Sequence, residues 1–80
     1  MLTPRIVEVA EANRSQGLRW FLAEELSGKE SGIIVYMFRE LRKPCDFDDW
    51  YPDENAFNEA MEAWGIAPED WRPYEGPDIR

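Results

Sequence analysis

The chain has 80 residues with 9 Lys/Arg against 17 Asp/Glu, no histidine and one cysteine, giving a net charge of −8. That balance opposes direct affinity for phosphate backbones or anionic lipid and favours cationic partners. A lone Cys45 without any histidine excludes an internal disulfide and a Cys/His zinc set. A chain this short forms one domain, 1–80, burying about 60–65% of its unfolded surface, and its 44% hydrophobic and 14% aromatic content is that of a folding sequence.

The opening MLTPRIVEVAEA has no basic leader ahead of an apolar stretch, and the longest strongly apolar run, Ile33 to Phe38, is far too short to span a bilayer. The expectation is a cytoplasmic protein with its thiol reduced. RIVEVAEA, with β-branched residues and partial alternation, reads as a first strand, and NRSQG as a polar turn. LRWFLAEEL alternates Leu18, Trp20 and Leu22 against Arg19, Phe21 and Ala23, which favours a second strand. The same segment also supports a helix capped by Ser15, with Leu18, Phe21, Leu22 and Leu26 at three- and four-residue spacing. After the SGKESG turn comes IIVYMFREL, the clearest strand. Ile33, Val35 and Met37 line one face and Ile34, Tyr36 and Phe38 the other, so both faces are expected to be covered.

CDFDDWYPDE, residues 45–54, then sets five carboxylates among three aromatic rings and reads as the loop that enters the helix. A helix over 53–64 follows: Asp53 is the N-cap, Glu54 suits the positive end of the dipole, and Gly65 the C-terminal stop. Phe57, Ala60, Met61 and Trp64 recur at the spacing of a buried stripe. In 67–80, Pro68 starts and Pro73 stops a short helical turn, followed by a tail. The expected fold is therefore α+β, a small antiparallel meander of about three strands within 5–42 packed by one helix of the C-terminal half, in the order β-β-β-α.

Charge divides along the chain. Residues 1–43 are nearly balanced, with a net of +1, whereas residues 44–80 carry 11 acidic groups against Arg72 and Arg80 alone. The acids make no calcium loop: from Asp46, the fifth, sixth and twelfth positions of an EF-hand fall on Trp50, Tyr51 and Phe57. Ser15, Ser27 and Ser31 have no histidine base. Cys45 has only neighbouring Lys43 to lower its pKa, and a paired-carboxylate mechanism needs a cleft that a chain this small scarcely builds. The expectation is no enzyme, no metal and no cofactor. Arg39, Arg42 and Lys43 beside Glu40 read as a solvated strand end. Trp64 reads as core. Trp50 and Trp71, each following carboxylates in DDW and EDW, suit either the cap of an open core edge or anchors at an interface.

A solvated acidic face serves solubility, but concentrating the excess in one half adds self-repulsion that solubility does not require. DFDDWYPDE, PEDW and the acidic face of the 53–64 helix resemble, in overall character, the small acidic proteins that bacteriophages and mobile elements use against host defences, anti-CRISPR proteins above all. The resemblance implies a non-enzymatic inhibitor that occupies a basic nucleic-acid-binding surface, such as that of a CRISPR effector, without itself binding nucleic acid or membrane. In this reading Asp46, Asp48, Asp49, Glu59, Glu62, Glu69 and Asp70 supply the field, and Trp50, Tyr51 and Trp71 the anchoring contacts. The competing reading is an accessory or regulatory module that binds through an aromatic face or a sheet edge. Monomer and homodimer both remain open.

Overall fold

The computed structural model describes residues 4–28 and 31–79. Four strands run antiparallel in succession, β1 (Arg5–Glu8), β2 (Trp20–Leu26), β3 (Gly32–Phe38) and β4 (Phe47–Tyr51). The helix α1 (Glu54–Ala63) and a two-residue strand β5 (Arg72–Pro73) complete the chain. The sheet order is β4-β3-β2-β1-β5, so the chain returns after α1 to lie beside its own first strand. The fold is α+β as expected, but the sheet has five strands rather than about three and the order is β-β-β-β-α-β.

β2 and β3 are the longest strands and pair over their full length, from Trp20↔Phe38 to Leu26↔Gly32. Residues 20–26 are thus strand, and the helical alternative for this segment is wrong. Its spacing of leucines matched a helix by coincidence, while the run Trp20, Phe21, Leu22 fits a strand covered on both faces. Leu18 does not share the face of Trp20 and Leu22. It precedes the strand and turns into the same cluster as Phe21.

Alternation sends Val7, Phe21, Ala23, Ile33, Val35 and Met37 to one side of the sheet, where Phe57 and Met61 of α1 meet them. Ile6, Leu22 and Phe38 point to the other side, where Ile79 of the tail covers them and Trp20, Tyr36, Cys45 and Tyr74 pack around. The tail is held there by the Tyr74 N–H, which donates to the Pro4 carbonyl at 2.7 Å. Both faces of β3 are therefore apolar for a structural reason: one meets a helix and the other a strap of chain.

α1 begins where Asp53 accepts a hydrogen bond from the Ala56 N–H at 2.8 Å. It ends in a Schellman motif, with the Ile66 N–H donating to the Met61 carbonyl at 3.0 Å and the Gly65 N–H to that of Glu62 at 2.9 Å. Gly65 has φ +75°, the left-handed conformation that favours glycine. Ile66 and Met61 share the core cluster, which supplies the apolar contact that accompanies this motif. Asp53→Ala should cost about 1 kcal/mol, the usual worth of an N-cap, read as a lower urea midpoint at unchanged slope. Among the described residues, no helix is long and apolar enough to cross a membrane.

Candidate partner-binding surface

The acid-rich stretch is not the entry loop expected from its composition. Phe47–Tyr51 forms β4, paired to β3 from Met37↔Phe47 to Ile33↔Tyr51, and only Pro52 and Asp53 bridge it to α1. The Asp46 N–H also donates to the Met37 carbonyl, at 2.9 Å, so Asp46 and Phe47 both stand opposite Met37 in a β-bulge. The Asp46 carboxylate closes the preceding 39–46 loop, accepting from the Arg39 N–H at 2.7 Å and from its guanidinium at 3.2 Å. Arg39 is tied further by donating to the Gln16 carbonyl at 2.9 Å and by lying over the Phe47 ring.

Phe47, Asp49 and Tyr51 lie on the helix side of β4, and Asp48 and Trp50 on the other. Phe47 and Trp50 remain 44% and 47% exposed, among the few large apolar side chains left in solvent. The Trp50 indole leans over Gly32. A Cβ on Gly32 would lie 2.6 Å from the indole nitrogen and 2.5 Å from the Tyr51 carbonyl oxygen, so the glycine makes room for the ring. The Asp49 carboxylate is shared between the Trp50 N–H at 2.9 Å and the Tyr51 hydroxyl at 3.2 Å.

That contact tunes Tyr51. Burial, reinforced by the charge and hydrogen bond of Asp49, pushes its phenol up to about 12, against about 10 in an unfolded chain. The protonated phenol is thus favoured in the fold, and its contribution is complete below about pH 10 and lost as pH rises through about 12. Tyr51→Phe should flatten the loss of stability in that alkaline window, as followed by urea midpoints at stepped pH. Cys45 is half-buried, and the neighbouring Lys43 does not activate it. Burial pushes its thiol up, Asp48 and Asp46 add to the effect, and only a backbone hydrogen bond opposes it.

The remaining sequence-predicted residues divide into two groups. Asp70 accepts from the Ala67 N–H at 2.8 Å and so caps the turn Pro68–Asp70. Trp71 is half-buried, its ring 5.3 Å from that of Phe57, and Tyr51 meets Phe57 edge-on at 6.2 Å. Asp46, Asp49 and Asp70 thus make internal hydrogen bonds while staying exposed, and Tyr51 and Trp71 are half-buried. Asp48, Asp49, Trp50, Glu59, Glu62 and Glu69 are exposed.

Two recesses flank the C-terminal end of α1. One, of about 260 Å³, is lined by Leu18, Met37, Phe47 and Trp64 with Asp48 and Asp49 at its margin. The other, of about 480 Å³, has Ile66, Ala67 and Pro68 with Asn58, Glu62 and Glu69 around them. Each joins an apolar lining to two carboxylates. Among the described residues, no Lys or Arg forms an ion pair with Asp48, Asp49, Glu59, Glu62 or Glu69, whereas Glu8, Glu40, Asp46 and Glu54 all have arginine partners. Also among the described residues, no three Asp, Glu or Cys side chains come together as a metal-binding group.

Phe47, Trp64 and Ile66 were not singled out for this surface by sequence. The alternation Phe47, Asp49, Tyr51 against Asp48, Trp50 was a usable strand signal, outweighed by the density of carboxylates. Comparison with protein families, with curated proteins and with solved structures found no match for this chain.

Proposed function

We propose that this chain is a non-enzymatic acidic inhibitor of the anti-CRISPR type, which occupies a Lys/Arg-lined nucleic-acid-binding surface of a host defence complex. The observation that carries the reading is the set of exposed carboxylates at both recesses, Asp48 and Asp49 on one side and Glu62 and Glu69 on the other, without arginine or lysine partners among the described residues. Glu8, Glu40, Asp46 and Glu54 each meet an arginine, whereas residues 44–80 carry 11 acidic groups against two arginines, so the acidic half presents a field that its own cations leave uncompensated. Such a field speeds encounter with a basic groove and discriminates against acidic surfaces. Apolar linings beside the carboxylates, and Trp50 at 47% exposure, offer packing for the aliphatic stems of incoming Lys and Arg side chains.

The second reading, an accessory module bound by ordinary apolar contact, draws on the exposed Phe47 and Trp50. Salt separates the two. Capture of partners from bacterial lysate on the tagged chain, washed at low and at high salt and identified by mass spectrometry, should return a nucleic-acid-handling complex that high salt or added DNA or RNA removes. A salt-resistant partner with no nucleic-acid role would favour the accessory module.

A further inference from the structure

The two edges of the sheet are built differently. β5 is two residues long and one of them is Pro73, which has no N–H to offer, so that edge is blunted. β4 has five residues and no proline, and among the described residues β3 is its only neighbour in the sheet. With Met37 and Phe47 as a bonded pair, the alternation of the ladder turns the N–H groups of Asp48 and Trp50 away from β3. Beyond the bulge at its start, charge guards this edge: the Asp48 and Asp49 side chains, and the Asp49 oxygen that holds the Trp50 N–H at 2.9 Å.

We propose that the free edge of β4 takes an extended, Lys/Arg-bearing segment of the partner as a sixth strand; this rests on the reading that the partner is basic and specifies how it binds. Charge selects the occupant. A second copy pairing antiparallel about Asp49 would set Asp49 directly opposite its own equivalent, a destabilising like-charge pair. A strand carrying cations at alternate positions instead lays them all on one face, where they meet Asp49 on the helix side, or Asp48 on the other side when the register is shifted by one residue. On the helix side it also runs beside the recess of Leu18, Met37, Phe47 and Trp64, which receives an apolar or long basic side chain. On the other it passes the exposed Trp50 ring. A cation drawn to Asp49 takes the carboxylate from the Trp50 N–H and frees that donor for the incoming strand. Main-chain bonds then provide affinity while alternate side chains provide selectivity, the usual division in strand addition.

The test uses the whole chain and an eight-residue peptide alternating Lys and Val, alongside two isomers of equal charge, each N-methylated on one alternate set of amides. Binding is followed through the backbone amide signals and their hydrogen exchange. Strand addition predicts that one methylated isomer binds at least tenfold more weakly while the other is unaffected, and that exchange slows at Asp48 and Trp50. Equal binding by all three peptides overturns the strand mode. If that binding is also lost in the Asp48→Lys/Asp49→Lys variant, the acidic-surface reading stands without it. Failure of every peptide to bind, or a dimer of the chain alone with these amides already protected, overturns the proposal, and the lysate capture then judges the acidic-surface reading separately.

Discussion

Replacing Phe57 by alanine is expected to leave much of the chain unfolded under conditions where the native protein is folded. The ring is 1% exposed, on the buried stripe of α1, and three partners close on it: Tyr51 from β4, Trp71 from the segment before β5, and the Arg5 guanidinium 5.3 Å above it from β1. One side chain therefore ties the helix to both edges of the sheet. Truncating a core phenylalanine costs about 3–5 kcal/mol, as lost transfer energy plus the cavity left behind. At about 0.05–0.15 kcal/mol per residue, a domain of this size has only about 4–12 kcal/mol in total. Urea titration followed by tryptophan fluorescence should show a strongly lowered midpoint for Phe57→Ala and a modest one for Phe57→Leu. A Phe57→Ala midpoint equal to that of the native chain would contradict the packing described.

The second large effect is on binding. Reversing Asp48 and Asp49 together to lysine should slow association with the captured basic partner by about ten- to a hundredfold at low salt, because the change inverts the field at the β4 edge. Stability should fall by only about 1 kcal/mol, since both side chains are exposed and the loss is chiefly the Asp49 hydrogen bonds to the Trp50 N–H and the Tyr51 hydroxyl. Stopped-flow association at stepped ionic strength checks this, with Glu59→Lys/Glu62→Lys as a graded companion. An unchanged rate for the Asp48→Lys/Asp49→Lys variant would remove β4 from the interface.

How much of this was legible in the sequence follows from where local and long-range forces agree. α1 was legible from cap to stop because the Asp53 cap, the Phe57, Ala60, Met61, Trp64 stripe and the Gly65 terminus all act within a few residues of each other. β3 was legible because its two apolar faces leave no helical alternative. β4 was obscured because its stability comes from pairing with β3, while its own residues, four of five being acidic or a solvent-facing ring, resemble a loop. β5 was beyond reach: two residues including a proline carry no strand signal, and only the return of the chain to β1 makes them one.

The candidate surface shows the same division. Exposure of Glu59 and Glu62 followed from helical periodicity, so these were placed correctly on the outer face of α1. Asp46 and Asp70 looked equivalent to them by composition, yet one closes the 39–46 loop on Arg39 and the other caps its own turn at the Ala67 N–H. Trp50 and Trp71 looked alike, each after a carboxylate pair, but the first lies on an open edge and the second against Phe57. Nothing local distinguishes them.

In the proposed function the acidic surface takes the place of nucleic acid on a basic partner. That replacement is tested most directly by titrating the chain into the captured partner preloaded with a fluorescently labelled nucleic acid and following the anisotropy of the label. Full displacement of the label by the native chain is expected, with the Asp48→Lys/Asp49→Lys variant displacing it poorly. Binding of the chain to the partner while the nucleic acid stays in place, as a ternary complex, would contradict it.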